Sequence, residues 1–493
     1  MSEYFKLFYI NNFKKFENYL NRTLVELPGI EKNALIKRIC QAYNNKCEYS
    51  YNLNSAILSK EINYKLLKKN KFFLHISCSK INTKTGEIYL KKFFFLKEYL
   101  KFFVRILKIN FFILLSLFIY KKISKPYVFV FSDSKSVKLR INELKKKQLK
   151  KYLNNTKLAF FKKDYDVTSL IYSNLRFFDK FEIFFINFYN LFKFSFLIIK
   201  YPFLVILNKD LPLIETFNFL KKKNKIHSIF FDISNISEQF LWQHGLKNSF
   251  KTFFLWESDT PFIDLQFKNF KKYNLRYINY FIRADNHLVK NNFQMQKLKK
   301  FECTNLFNSK IIKIKKINFL KKKNISKNFK IGIFPTGIAT TNSLKISGIQ
   351  VDNLYSYENQ KKFVFDIVNS INKINSNLTN DILAIIKPRH SINVSNYENS
   401  KFYKYLEELK IKFPFIIIDK ETNFINTLKK VNLSITMPFT SVPFSEIDIF
   451  NKRGIYYDPT NIIVDKAMNN SKKYFFVQNK KKLFYMISRY IDE

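Results

Sequence analysis

Leu433-Ser-Ile-Thr-Met-Pro-Phe-Thr-Ser-Val-Pro-Phe-Ser-Glu-Ile-Asp-Ile-Phe-Asn-Lys-Arg-Gly-Ile-Tyr-Tyr-Asp458 reads as a strand, a turn of small residues, a helix and a second strand. The apolar run Leu433 to Thr436 has the form of a buried strand and delivers Thr440 and Ser441 to the start of a helix. Backbone N–H groups without intrahelical partners, together with the positive end of the helix dipole, suit a phosphate there. Glu446, further into the same helix, is placed to accept hydrogen bonds from a ribose. A capped structural helix of any α/β protein fits the same residues, so the stretch alone leaves both readings open.

Upstream, strands alternate with helices. Phe329 to Phe334 is a strand followed by Pro335-Thr336-Gly337, where backbone N–H groups near Gly337 can approach a ligand closely. The three-glycine spacing of a dinucleotide fingerprint is missing. Glu358 to Ile374 and Asn423 to Lys430 read as helices, and Phe415 to Ile418 as a strand. The strand Ile382 to Ile386 ends at Lys387-Pro388-Arg389-His390, three potential cations expected at the rim of an interdomain cleft. Earlier strands are expected at Tyr127 to Phe131, Leu158 to Phe161, Ile226 to Phe231 before Asp232, and Thr252 to Trp256 before Glu257-Ser258-Asp259, with a helix from Ser237 to Lys247. Such alternation predicts an α/β fold of two Rossmann-like, doubly wound domains, 124–325 and 326–493, after an N-terminal extension, 1–123.

Met437-Pro-Phe-Thr-Ser441 resembles the signature of the bacterial polysaccharide-biosynthesis PFTS-motif family, and the surrounding arrangement resembles the donor-binding half of GT-B glycosyltransferases. The segment Ile385 to His390 is more distantly similar to polymer-forming glycerophosphotransferases. The resemblance implies transfer of a sugar from a nucleotide-activated donor to a glycan or lipid-linked acceptor in surface-polysaccharide assembly, such as capsule or lipopolysaccharide. A polyol-phosphate transfer is the alternative. The donor phosphates would meet Thr440, Ser441, Lys387, Arg389, His390 and Gly337, the ribose would meet Glu446, and the nucleotide-sugar would be substrate rather than cofactor. No metal is expected, in keeping with the lack of an Asp-X-Asp at a strand end. The general base in such enzymes comes from the first domain. Asp133, Asp232, His244, Glu257 and Asp259 are candidates, with Glu257 and Asp259 favoured; His287 is placed in a late connection.

The formal net charge of +48 and pI of about 9.8 would ordinarily suggest nucleic acid. Lysine is spread through the chain alongside abundant asparagine, phenylalanine and isoleucine, as an A/T-rich coding sequence would give, so nucleic acid is disfavoured. Runs such as Lys145 to Lys147, Lys221 to Lys223 and Lys321 to Lys323 suit solvated helix ends and linkers. A noncatalytic basic protein bound to membrane or nucleic acid remains a further class. Cys40, Cys47, Cys78 and Cys303 show no metal-ligand spacing, which points to a reducing compartment, and the N-terminus lacks a secretory pattern. A cytoplasmic location, peripheral on the inner face of the cell membrane, is therefore expected.

Phe72 to Phe94 alternates around Thr83-Lys-Thr-Gly86 and predicts a hairpin. The charge-free stretch Ile109 to Tyr120 within the helical region 93–120 is shorter than the roughly 20 residues that cross a bilayer. That region and Phe181 to Leu207 fit either core helices or aromatic and basic helices lying on anionic lipid.

Overall fold

The computed structural model describes residues 20–22, 30–39, 42, 79–81, 88–90, 92–118, 125–131, 141–142, 149–153, 155–161, 175–232, 240–244, 250–256, 264–267, 270–274, 282–299, 309–314, 328–336, 338, 356–377, 382–388, 397–420, 424–437, 453–464 and 474–492. The chain divides into two compact units, Met1–Leu255 with Ile278–His287 and Glu302–Lys310, and Trp256–Tyr277 with Leu288–Phe301 and Ile311–Glu493.

One six-stranded sheet contains β1 (Tyr127–Phe131), β2 (Lys157–Phe161), β3 (Ile226–Asp232), β4 (Lys251–Leu255), β5 (Asn286–Val289) and β6 (Lys310–Lys313), in the order β6-β5-β4-β3-β1-β2. β1 runs parallel to both β2 and β3, and β3 runs parallel to β4. Every residue of β1 is buried, which is why its sequence is apolar without alternation. Phe230 stacks on Phe253 of the neighbouring strand with ring centroids 4.4 Å apart.

Helices α1 (Lys92–Leu115), α2 (Phe177–Lys200) and α3 (Leu211–Lys222) pack on one another within the first unit. Phe217 of α3 stacks on Trp242 at 4.3 Å, and Phe131 at the end of β1 meets the same indole edge-on at 5.1 Å. Asp210, just before α3, is wholly buried. Its two carboxylate oxygens accept from Arg38 Nε and Nη2, both at 3.1 Å, and Oδ1 also accepts the Leu241 N–H at 2.6 Å. This forked, charge-assisted pair ties residues 172 positions apart.

The other six-stranded sheet lies wholly within the second unit. It contains β7 (Lys330–Phe334), β8 (Leu383–Ile386), β9 (Ile416–Ile418), β10 (Leu433–Thr436), β11 (Arg453–Tyr457) and β12 (Tyr474–Val477), in the order β9-β8-β7-β10-β11-β12. All five pairings are parallel. Parallel neighbours require crossovers, and these contain α4 (Tyr357–Asn375), α5 (Tyr397–Lys412) and α6 (Phe424–Lys430); α7 (Lys480–Asp492) follows β12 and packs on α4. At the start of α4 the Ser356 hydroxyl accepts the Asn359 N–H at 3.3 Å, with Glu358 in the first turn and Lys373 in the last. Gln360, Phe363, Val364, Ile367 and Ile371 form its buried stripe at helical spacing.

The expected strands of both sheets lie within a residue or two of their observed bounds. Not anticipated were β5, β6, β12, α3, α5, α7, a helix Asn292–Leu298 and an antiparallel pair, Asp264–Phe267 with Phe270–Asn274. Ser79–Ile81 pairs antiparallel with Ile88–Leu90, while the intervening residues 82–87 lie outside the described ones. Of the helix expected from Ser237 to Lys247, Leu241–His244 is described and helical.

Replacing Arg38 by methionine strands a buried carboxylate and is expected to destabilise the first unit by about 3–5 kcal/mol. Adding Asp210→Leu should recover most of that loss. Urea unfolding of the single and double variants measures both, and an Arg38→Met midpoint equal to wild type would contradict the assignment.

Candidate nucleotide-sugar site

In the second sheet the chain steps from β7 to β8 to β9 in one direction, then returns to the other side of β7 and continues through β10, β11 and β12. The strand C-termini share one edge, and the direction of winding reverses between β7 and β10. Ligands of open parallel sheets bind outside the strand ends at such a reversal. Phe334 of β7 lies opposite Thr436 of β10, and Ile333 lies opposite Ile386 of β8. One or two residues beyond these ends stand Thr336, Met437 and Lys387.

Gln360, in the first turn of α4 and fully buried, bridges the reversal. Its Oε1 accepts the Thr336 N–H at 2.8 Å, and its Nε2 donates to Met437 Sδ at 2.9 Å. One carboxamide thus bonds both to Thr336, two residues past β7, and to Met437, the residue that follows β10. The Lys387 main-chain N–H donates to Ile333 O at 2.8 Å, fixing that lysine to the end of β7. Its side chain is nine-tenths buried, with Nζ 3.4 Å from Pro388 O.

The end of β11 is a closed polar cage. Asp458 is wholly buried and accepts from Thr460 N at 3.0 Å, Thr460 Oγ1 at 2.6 Å, Ile462 N at 2.9 Å, Ile463 N at 3.1 Å and Gln478 Nε2 at 3.0 Å. Five donors on one carboxylate make it a loop clamp rather than a base. Tyr457 donates to Asp366 Oδ2 at 2.8 Å, while Lys480 Nζ lies 3.1 Å from Asp366 Oδ1. Burial and the Asp366 carboxylate raise the Tyr457 pKa, so the phenol keeps its proton.

Of the residues expected to hold the donor, Lys387 is described, and it sits beside the reversal. Gly337, Arg389, His390, Thr440, Ser441 and Glu446 lie outside the described residues, as do Glu257, Asp259 and Asp133. In the first sheet the winding reverses between β1 and β3, and Asp232 is the last residue of β3. His244 closes the helical turn Leu241–His244.

His287 does not lie in a connection. It is in β5, fully buried, against the Phe254 ring at 6.1 Å, and burial drives its pKa down to about 3. A neutral histidine sealed from solvent is a core residue. Asp285 is likewise structural, accepting the Thr252 N–H at 2.7 Å and its hydroxyl at 2.9 Å. Among the described residues, no three His, Cys, Asp or Glu side chains gather as a metal-ligand set. The sequence reading passed over Gln360, although a polar residue at an apolar-stripe position near a helix start is a detectable signal.

A family model described as polysaccharide biosynthesis PFTS motif protein matches residues 190–487. The chain belongs to that family. The match takes in the whole second sheet, including the loop roots held by Gln360. Among solved structures, this PFTS-motif chain is similar to a glycosyltransferase from Rickettsia africae ESF-5, with a TM-score of 0.37 and 15% identity over 75% of this chain and 89% of that one. It is also similar to a sucrose-phosphate synthase from Thermosynechococcus elongatus, with a TM-score of 0.32 and 10% identity over 58% and 70%. The N-terminal domain of trehalose-6-phosphate phosphatase from Candida albicans gives 0.31 and 9% over 74% and 81%. No curated protein matches.

Two outcomes follow. Gln360→Ala leaves the buried Thr336 N–H without its carboxamide acceptor and is expected to cost about 1–3 kcal/mol in urea unfolding; an unchanged midpoint would contradict the bridging role. For His287, the folded pKa of about 3 lies below the ordinary 6.5. The unfolded chain therefore takes the proton first, and the stabilisation present above about pH 6.5 is lost as pH falls toward 3. Stability of the wild type relative to His287→Gln should fall between pH 6 and 4 by up to about 1.4 kcal/mol per unit. Parallel pH profiles would contradict this.

Proposed function

We propose that this PFTS-motif protein is a cytoplasmic GT-B-type glycosyltransferase that moves a sugar from a nucleotide-activated donor to a glycan or lipid-linked acceptor of a surface polysaccharide. The observation that carries the reading is topological. The family's namesake residues follow directly on β10, which ends at the winding reversal of a 3-2-1-4-5-6 parallel sheet, and Lys387 follows β8 on the other side of β7.

The chemistry follows from where charge develops. As the glycosidic bond to the donor phosphate breaks, negative charge grows on the leaving nucleotide while the anomeric carbon becomes cationic. Amide donors around Thr440 and Ser441, with Lys387 or Arg389, stabilise that leaving charge as preorganised groups. His390 and Gly337 border the same phosphates, and Glu446 takes the ribose. The acceptor hydroxyl gives its proton to Glu257 or Asp259 as it attacks. With cations and amides facing the phosphates, a divalent ion is not required by this scheme.

The test is a panel of uridine, guanosine, cytidine and thymidine diphosphate sugars, with cytidine diphosphate polyols included, read by thermal shift and by product formation. One sugar nucleotide should stabilise the protein and be turned over. Lys387→Ala should keep the unfolding temperature and lower turnover by roughly 10²-fold, and Ser441→Ala should weaken donor binding. Wild-type turnover in both variants would refute the assignment, and turnover of a polyol donor alone would replace glycosyl by polyol-phosphate transfer.

A further inference from the structure

Eighteen of the twenty-two exposed large apolar side chains among the described residues lie on α1, α2 and the turn after α1. On α1, Leu100, Val104, Leu107, Phe111 and Leu114 recur every three or four residues and form one outward stripe. On α2, Phe178, Phe181, Phe185, Phe188, Phe192 and Phe196 do the same. Opposite each stripe the helix is buried, through Phe102, Ile106, Ile109 and Ile113 on α1 and Ile183, Phe194 and Ile198 on α2.

The helices are antiparallel neighbours. Lys180 near the start of α2 donates to Ser116 O just past the end of α1, and Glu98 near the start of α1 accepts from Asn208 beyond the end of α2. With roughly 200 Å² for each large side chain, the exposed apolar area is on the order of 2,000 Å². The largest patch on a soluble monomer is about 300–600 Å².

We propose that α1 and α2 form a monotopic membrane-docking surface that lies in the plane of an anionic phospholipid bilayer. The choice of occupant rests on charge. Lys97, Lys101 and Lys108 line one flank of the α1 stripe, and Lys193 and Lys200 border the α2 stripe. Of the three carboxylates of the two helices, Glu98 is buried and paired with Lys101, and Asp179 and the exposed Glu182 pair with Lys223 at 2.8 and 3.4 Å, so lysine outnumbers free carboxylate along the stripes. A broad apolar face edged mainly by lysine matches acyl chains below and anionic headgroups beside. A second copy would meet it with the same lysine rows, on a chain already carrying +48.

Of the described helices, α2 alone is long and apolar enough to cross a membrane. Its polar contacts argue for lying flat. Lys193 pairs with Glu215 at 3.5 Å, Asn187 accepts from Thr216 at 3.3 Å, and Asp179 and Glu182 hold Lys223. Crossing would carry these groups into hydrocarbon. The surface is independent of the donor chemistry, so either proposal can fail alone.

The experiment is co-sedimentation of the full chain with vesicles of phosphatidylethanolamine containing phosphatidylglycerol, against phosphatidylcholine vesicles. The comparison variant is Leu107→Glu/Phe111→Glu/Phe185→Glu/Phe192→Glu, whose four sites are all exposed. Wild type should pellet with anionic vesicles, partition several-fold less onto phosphatidylcholine, and be released by alkaline carbonate. The variant should keep its circular dichroism melt and lose at least tenfold in partitioning. Four results overturn the proposal: wild type left in the supernatant, equal partitioning of the variant, resistance to alkaline extraction, which indicates a spanning helix, or a vesicle-free dimer that the variant converts to monomer.

Discussion

Parallel pairing of β7 with β10 is the constraint on which the proposed chemistry depends. Two parallel strands end on the same edge, and the chain winds outward from β7 in both directions, so the ends of β7 and β10 mark the reversal. Gln360 ties these two strand ends by bonding Thr336 on one side and Met437 on the other. The helix that presents Gln360 is secured by its Ser356 cap, its apolar stripe and its contacts with α7, so the far end of the chain contributes to holding the reversal.

Polar groups near the ends of β8 and β11 play different parts. Asp458 and Asp366 are saturated by donors and serve to hold β11, the following loop and α7 in place. Lys387 is mostly buried and anchored through its own N–H at a strand end, and in the proposed reading a donor phosphate meets it there, where opposite charges attract more strongly than in water.

The sequence made the strands legible because a strand buried on both faces must be apolar throughout. Tyr127 to Phe131 and Leu433 to Thr436 meet that requirement and appear where expected. Of the loop stretches expected to form the site, Met437 and Lys387 stand at the strand ends beside the reversal, while 438–441 and 389–390 lie outside the described residues. Less visible were features fixed only by tertiary partners. His287 sits in a four-residue strand, Asn286–Val289, whose first half is polar, so nothing local marks it as core. Arg38 and Asp210 meet across most of the first unit, and no local pattern announces the pair. For α1 and α2 the local pattern fitted two answers. The packing resolved this into one buried and one exposed apolar face on each helix, which neither a core helix nor a polar-faced surface helix would show.

The central claim is that nucleotide phosphates sit at the β7–β10 reversal. Its most direct measurement is hydrogen–deuterium exchange of the full chain with and without a mixture of uridine, guanosine, cytidine and thymidine diphosphates. Slowed exchange concentrated in peptides covering 334–338, 387–391 and 436–447 is the predicted result. Protection confined to other peptides, or unchanged exchange throughout the second unit, would contradict the account.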